Sequence, residues 1–588
     1  MASMVSILLR CSLLVLLLVQ STHSSVTPKA KNAIAEEHKP ALPSSSNTYI
    51  VLTNHLAKPS KFDTLEHWLY HTQTTRSPWF MGLHDDFGAW PDAEFGDGVI
   101  IGFVDTGIWP ERASFSDTGL GPVRSTWRGK CVDAPGFNAS LCNNKLVGAK
   151  SFTDSSPRDI DGHGTHVAST AAGSEVPSAD LFKFAGGRAS GVARMARIAM
   201  YKACIRGGCS LSAITAAVDA AGSDGVDLIS MSIGGPVEAF YDDLVTVATF
   251  GAERRGVFVV MSGGNYGPNA SSITNVAPWM TTVGAATTDR VFPATLRLGN
   301  GVVLTGQSLY NIPFSQGAGT IPLVSSDCGK YGDLTPDKFM GKVVVCSKGV
   351  GAWAGFDVER AGGAGMISAD SRTRFGDAVK AQPFNLPGLQ LSSTGVKKLA
   401  DYMSSVAYPV ASFNFTCNTV TGENRAPMVA GFSSRGPNPI VPEILKPDVI
   451  APGVNILAAW SGAASPSGSN MDPRRVEYNI LSGTSMACPH VAGVAALIKK
   501  RHGDWTPAMI RSALRYNVTV AAPDGVKVTV TPATLEFRWP KEKRSYSVQF
   551  SSEAGAKVRP AGTWDFGHIA WENRKHRVRS PVAFKWDN

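Results

Sequence analysis

One stretch constrains this chain more than any other. Residues 481–490 read L-S-G-T-S-M-A-C-P-H and run directly into an apolar segment at 491–498. The pattern predicts a helix that is buried on most sides and therefore lies at the centre of a domain. Ser485 would occupy its first turn, where unpaired backbone N–H groups and the helix dipole favour a nearby oxyanion. Ser485 is thus a candidate nucleophile, although a serine that only caps a helix has the same local sequence.

Two upstream segments supply possible partners for this serine. Residues 98–105, G-V-I-I-G-F-V-D, predict a buried parallel strand with Asp105 at its carboxyl end. Ligand chemistry in open α/β sheets gathers at that edge. Residues 161–168, D-G-H-G-T-H-V-A, place His163 at the start of a helix of small residues, between glycines that allow close backbone approach. The chain order Asp105, His163, Ser485 is one of the three known for an Asp/His/Ser triad.

The three motifs resemble the signatures of subtilisin-like serine proteases, specifically the plant subtilases. They are D-T-G at 105–107, G-H-G-T-H at 162–166 and G-T-S-M-A-C-P-H at 483–490. The resemblance implies that Asp105 orients His163, which takes the proton from Ser485 as the serine attacks a scissile carbonyl. The chain is therefore expected to be a serine endopeptidase that acts on protein or peptide substrates.

The resemblance also implies an oxyanion hole and a substrate cleft. Asn265 ends the buried-strand pattern G-V-F-V-V-M-S-G-G-N at 256–265 and would donate to the oxyanion together with the Ser485 amide. Gly263 stands where the family usually has alanine. Extended substrate would pair with an edge segment of the enzyme, and the residues expected to bind it are Ser232, Ile233, Gly234, Ser262, Gly263 and Gly264.

Other interpretations of the same motifs are possible. D-T-G is also the aspartic-protease signature, and a second copy begins at Asp117, but twelve residues of separation would not place two carboxylates on facing lobes. His163 and His166 have the spacing of helical metal ligands, yet the glutamate of H-E-x-x-H is missing. Neither a metal nor another cofactor is expected. His490 is expected to pack behind the nucleophile helix.

The fold class expected is α/β, a doubly wound and mainly parallel sheet, because buried-strand runs alternate with helical segments from Asp105 to about Asp289. Short strands and glycine turns then follow, and they resemble the protease-associated domain that plant subtilases carry as an insertion. This domain is expected to act either as a lid or substrate-positioning module or as a mere spacer. The tail resembles part of a fibronectin-III-like β-sandwich. The domains expected are a signal peptide (1–24), a truncated inhibitory prodomain (25–73), a catalytic domain (74–515) with the insertion at 318–415, and the partial sandwich (516–588).

The amino terminus predicts secretion, since an apolar run at 11–19 follows Arg10 and is too short to span a membrane. An extracellular location, in the apoplast or cell wall, is expected, with no membrane association. Cys131 with Cys142 and Cys204 with Cys209 are candidate disulfides, while Cys488 is expected to be a free, packed thiol. Sequons predict glycosylation at Asn138, Asn269, Asn414 and Asn517.

Charge adds little to the functional assignment. The 56 basic and 47 acidic residues give a net charge of +9. Loose association with acidic cell-wall polysaccharide is one interpretation and a solvated surface is the other. No nucleic-acid motif is present.

Resemblance to the family is interrupted before Thr74 and after Arg515. The first interruption removes part of the prodomain expected to inhibit the enzyme, and the second removes the end of the catalytic domain. The competing hypothesis is therefore a catalytically incompetent or misfolded secreted protein that comes from an incomplete gene and keeps the triad residues.

Overall fold

The computed structural model describes residues 76–153, 156–205, 208–312, 319–328, 334–348, 351–369, 379–422 and 425–514, together with four strands of the tail. The predicted signal peptide, the predicted prodomain and the sequon at Asn517 lie outside the described residues. Among the described residues, no helix is long and apolar enough to cross a membrane.

The helices of the described residues are, in chain order, α1 (Arg76–Phe80), α2 (Ala89–Asp92), α3 (His163–Ala172), α4 (Leu211–Asp224), α5 (Leu244–Arg254), α6 (Pro336–Phe339), α7 (Gly355–Arg360), α8 (Ser393–Ser405), α9 (Thr484–Arg501) and α10 (Pro507–Leu514). Short 3₁₀ turns occur at Glu94–Gly96, Ala113–Phe115, Ala139–Leu141 and Ala352–Ala354.

The strands up to the inserted region are β1 (Ile100–Asp105), β2 (Leu146–Ser151), β3 (Val176–Leu181), β4 (Phe184–Ala189), β5 (Arg197–Lys202), β6 (Cys204–Ile205), β7 (Gly208–Cys209), β8 (Leu228–Met231), β9 (Phe258–Ser262) and β10 (Thr281–Ala286). The remainder are β11 (Pro293–Leu298), β12 (Val303–Gln307), β13 (Ile321–Ser326), β14 (Val343–Cys346), β15 (Gly365–Ser368), β16 (Gly388–Leu391), β17 (Val410–Phe415), β18 (Val449–Pro452), β19 (Ile456–Ala459), β20 (Tyr478–Leu481), β21 (Val526–Thr531), β22 (Ser547–Ser552), β23 (Trp564–Glu572) and β24 (Arg577–Lys585).

The largest sheet of the described residues has seven strands in the order β18-β10-β9-β8-β1-β5-β2. Every pairing in it is parallel. The chain moves from β1 to β2 and β5 on one side, and to β8, β9, β10 and β18 on the other. This reversal creates a crevice at the carboxyl ends of β1 and β8, the usual place for a ligand site in such sheets. The predicted doubly wound parallel sheet is confirmed.

Helices cover both faces of this sheet. On β1, Ile101 and Phe103 join the apolar cluster that contains α3 and α9. Ile100 and Val104, on the opposite face, join the cluster that contains α4. Because both faces are buried, the strands read as continuous apolar runs without polar alternation. Twelve of the eighteen residues of α9 are buried, which confirms the central helix predicted after Ser485.

The strands between β10 and β18 form a closed seven-stranded barrel in the order β11-β12-β16-β15-β14-β13-β17. Strands β13 to β16 pair in parallel, and the other pairings are antiparallel. The barrel begins at Pro293, before the predicted boundary at 318, and closes at Phe415. Its interior is apolar and includes Leu296, Val343 and Leu389, all fully buried. In the tail, β21 pairs with β22 and β23 with β24, both antiparallel.

Both predicted disulfides are present, Cys131–Cys142 and Cys204–Cys209. A third, Cys328–Cys346, joins segments of the barrel region and was not predicted. Cys488 is a free, fully buried thiol as expected, and burial raises its pKa to about 12.

Candidate active site

The site begins with a carboxylate and an imidazole at the crevice. Asp105 is the last residue of β1, and 2% of its side chain is exposed. Its Oδ1 lies 2.8 Å from His163 Nδ1 and accepts the Thr106 amide at 2.7 Å. His163 is the first residue of α3. A side-chain carbon on Gly164 would lie only 2.3 Å from the Gly107 carbonyl oxygen, so glycine at 164 is what lets α3 begin this close to β1.

Asp159 holds the end of β1 and the start of α3 together, and sequence reasoning missed it. Its buried carboxylate accepts the Thr106 hydroxyl at 3.0 Å and the Thr165 hydroxyl at 2.5 Å. It also accepts three backbone amides, those of Asp161, Gly162 and Thr165. The bonds orient the loop that presents His163. Asp159 lies three residues before the helix cap at Gly162, so a search for ordinary cap residues passes over it.

The electrostatics of His163 are set by its carboxylate neighbours. Burial by itself lowers the pKa of His163, but the charge and hydrogen bond of Asp105 outweigh burial and raise it to about 9. That value includes smaller upward contributions from Asp161 and Asp159. An opposite charge at hydrogen-bond distance favours the imidazolium. His163 is therefore a strong proton acceptor that becomes neutral in the alkaline range.

Ser485 is the second residue of α9, in the turn that was predicted for it. Its hydroxyl donates to the Ser232 carbonyl oxygen at 3.3 Å. Within the described residues, no hydrogen bond joins Ser485 Oγ to His163. Hydrogen bonds of catalytic groups are commonly long or misaligned before substrate binds.

Asn265 and the Ser485 amide open onto a common space. A side-chain carbon on Gly483 would lie 3.6 Å from Asn265 Nδ2 and 3.7 Å from Ser485 N. Asn265 Oδ1 accepts the amide of Thr484 at 2.9 Å and its hydroxyl at 3.0 Å. Those two bonds fix the amide plane so that Nδ2 faces outward as a donor. Thr484 was missed in the sequence, where it read only as one of several small residues before the nucleophile.

A cleft of about 560 Å³ runs along this edge. Asp105 and His163 line one part of it, and the predicted segment Ser232, Ile233 and Gly234 lines another. The second predicted segment, Ser262–Gly264, is buried and does not line the cleft. Asn275 joins the two segments, because its Nδ2 donates to the carbonyls of Ile233 at 2.8 Å and Ser262 at 2.7 Å. The Cys204–Cys209 hairpin also lines the cleft, a position that its cysteine spacing alone did not reveal.

The alternative interpretations find no support in the geometry. Asp117 accepts two hydrogen bonds from Asn144, whereas Asp105 is bonded to His163. His166 Nε2 lies 3.0 and 3.2 Å from two main-chain carbonyl oxygens, and burial lowers its pKa to about 3. In the part of the chain that the structure describes, no three His, Cys, Asp or Glu residues group as metal ligands. His490 is buried within α9, with Nδ1 at 2.7 Å from the Met486 carbonyl oxygen.

Three of the four sequon asparagines, Asn138, Asn269 and Asn414, are exposed at the surface.

Comparison with known proteins agrees with this architecture. The sequence pattern of the Subtilase family matches residues 96–532. The chain belongs to the subtilase family. Subtilases are serine peptidases, hydrolases of peptide bonds. The pattern of a Fibronectin type-III domain matches residues 508–584 of this subtilase, as predicted for the tail.

Individual proteins of similar sequence include plant subtilisin-like proteases. Subtilisin-like protease SBT1.7 of Arabidopsis thaliana is 37% identical, and the match covers 90% of this chain and 88% of that protein. Subtilisin-like protease SBT1.4 of the same plant is 46% identical over 78% of this chain and 62% of its own length. The CO(2)-response secreted protease of Arabidopsis thaliana is 40% identical over 74% and 59%. This subtilase thus spans less than two thirds of the latter two. Among solved structures, a cold adapted subtilisin-like serine proteinase matches 71% of this chain and 82% of its own at a TM-score of 0.34 and 20% identity.

Proposed function

We propose that this subtilase is a secreted endopeptidase in which Ser485 attacks the peptide carbonyl, His163 acts as general base and Asp105 orients His163. The observation that carries the proposal is the Asp105–His163 hydrogen bond of 2.8 Å at the sheet edge where Ser485 begins α9. A buried carboxylate on Nδ1 fixes the tautomer that leaves Nε2 free to accept the serine proton. It also stabilises the imidazolium that forms when the proton arrives.

The tetrahedral oxyanion would be held by Asn265 Nδ2 and the Ser485 amide. Thr484 supports this role, since its two bonds to Asn265 Oδ1 keep the donor amide oriented before substrate arrives. Donors that are already in position require no reorganisation as charge develops on the oxygen. The imidazolium then returns its proton to the leaving amine, and water repeats the sequence on the acyl-enzyme.

The substrate would be a protein segment in extended conformation. Ser232, Ile233 and Gly234 follow the end of β8 and line the cleft, where main-chain groups can pair with a substrate strand. Ser262, Gly263 and Gly264 would contribute through the backbone beside them. The amino-terminal prodomain would occupy the same cleft as an inhibitor until it is removed.

Secretion to the apoplast or cell wall is part of the proposal. It rests on the amino-terminal sequence, on the disulfides and exposed sequons, and on a relative whose name describes it as secreted. The barrel would be the protease-associated domain, placed as an insertion between β10 and β18. Loose binding to acidic wall polysaccharide would follow from the net charge of +9.

The test is covalent labelling of the full chain by a fluorophosphonate probe, which reacts only with an activated serine. We expect labelling of the wild type, none of Ser485→Ala, and strongly reduced labelling of His163→Ala. Ser230→Ala, which changes a buried serine on β8, is the matched control and should label normally. Equal labelling of wild type and Ser485→Ala would end the assignment of the nucleophile. A folded chain that never labels would favour the competing hypothesis of an incompetent protein.

A further inference from the structure

We propose that Ser232 is a positioning residue for the nucleophile Ser485. Its hydroxyl donates a hydrogen bond to the Ser485 carbonyl oxygen, in place of the helical N–H donor that is missing because residue 489 is proline. The inference rests on the proposed function and assigns to Ser232 a task beyond lining the cleft. The evidence consists of two hydrogen bonds between Ser232 and Ser485 and the position of Pro489 in α9.

Pro489 lies inside α9, four residues after Ser485. In an α-helix, the N–H of residue 489 would donate to the carbonyl of residue 485. Proline has no N–H, so the Ser485 carbonyl loses its partner in the helix. Ser485 is partly buried, and a carbonyl withdrawn from water costs free energy unless another donor replaces the missing one. Ser485, whose main chain must be placed accurately for catalysis, is thus the residue whose carbonyl lacks its helical hydrogen bond.

Ser232 supplies the missing donor. Its Oγ donates to the Ser485 carbonyl oxygen at 2.8 Å. Ser485 Oγ donates in the opposite direction, to the Ser232 carbonyl oxygen at 3.3 Å. The two residues are 253 positions apart, and only 7% of Ser232 is exposed. Solvent therefore competes weakly for the shorter bond, which links the end of β8 directly to the first turn of α9.

This link has a mechanical consequence for catalysis. The Ser485 amide is an oxyanion donor and its side chain is the nucleophile, so a shift of its carbonyl displaces both. The Ser232 hydroxyl holds that carbonyl to the sheet, while the Ser232 main chain lines the cleft. The weaker, reciprocal bond keeps the Ser485 hydroxyl on the Ser232 carbonyl until substrate binding redirects it towards His163.

The experiment is a double-substitution cycle with Ser232→Ala, Pro489→Ala and the pair, each normalised by fluorophosphonate active-site titration. Ser232→Ala should lower kcat about three- to tenfold, the net value of one neutral hydrogen bond, with KM unchanged. Pro489→Ala restores an N–H facing the Ser485 carbonyl. The loss caused by Ser232→Ala should therefore shrink to less than about twofold in the Pro489→Ala background.

Ser230→Ala is the control, because Ser230 is also buried on β8 and faces the same helix through Cys488 Sγ at 3.6 Å. Its effect should be the same in the wild-type and the Pro489→Ala backgrounds. An equal kcat loss for Ser232→Ala in both backgrounds would overturn the positioning role, while labelling of the wild type keeps the proposed function intact. Absence of labelling in the wild type would overturn both.

Folding provides a second readout if Ser232→Ala destabilises the protein. Recovery of folded chain when Pro489→Ala is added would support the link. If Ser232→Ala and the double variant give equally low yields of folded chain, the proposed link between Ser232 and Pro489 is contradicted.

Discussion

The pH dependence of turnover follows directly from the pair at the sheet edge. In the proposed mechanism, His163 acts as a base only when it is neutral. With its pKa raised to about 9, the neutral fraction is about 1% at pH 7 and about 50% at pH 9. We therefore expect kcat/KM to rise about 50-fold between those values. An unperturbed histidine near 6.5 would give a rise of about 1.3-fold over the same interval.

The assay is kcat/KM on an uncharged fluorogenic peptide between pH 6 and 10, with fluorophosphonate inactivation rates measured in parallel. Asp161→Asn is the informative variant, since Asp161 raises the pKa of His163 without bonding to its ring. We expect the rising, acidic side of the pH profile of Asp161→Asn to move to lower pH, while the variant keeps full activity above pH 10. A midpoint at or below 6.5 in the wild type would refute the electrostatic reasoning.

The same shift predicts the sign of the linkage to stability. Because the folded-state pKa of His163 is raised, its contribution to stability is complete below pH 6.5 and is lost as the pH rises through about 9. The melting temperatures of the wild type and His163→Gln should therefore approach each other as the pH rises from 6.5 to about 9.

Two further predictions concern the oxyanion donors. Asn265→Ala should lower kcat by about 10² to 10³ with little change in KM, the loss known for such a donor in subtilisin itself; a change confined to KM would make Asn265 a substrate-binding residue. Gly483→Ala should fold normally, because φ is 169° and no atom lies within 3.5 Å of the added methyl. The methyl enters the space in front of Asn265 Nδ2 and Ser485 N, so kcat should fall; unchanged turnover on active-site-titrated enzyme would show that the oxyanion forms elsewhere.

Local sequence was sufficient for the parts of this subtilase that depend on neighbouring residues. The apolar run that ends at Asp105 predicted a buried strand, because parallel strands covered on both faces carry no polar alternation. The small-residue patterns at His163 and Ser485 predicted helices with those residues in the first turn. The short-loop disulfides, Cys131–Cys142 and Cys204–Cys209, followed from spacing alone. Strand ends were less well predicted: the strand expected at 98–105 is Ile100–Asp105.

Tertiary structure alone decided the contacts that make these pieces a site. The bonds from Thr484 to Asn265 and from Ser232 to Ser485 join residues 219 and 253 positions apart. A serine or threonine hydroxyl has the same sequence signal whether it meets water or a distant carbonyl, so no local pattern distinguishes these residues. The closure of the barrel is equally non-local, since β11 completes it by pairing with β17. The sequence by itself determined which side chains could do the chemistry. Their placement depended on how the crossovers of one parallel sheet bring the ends of β1, β8 and β9 together, because only packing of the whole sheet against α3 and α9 sets that distance.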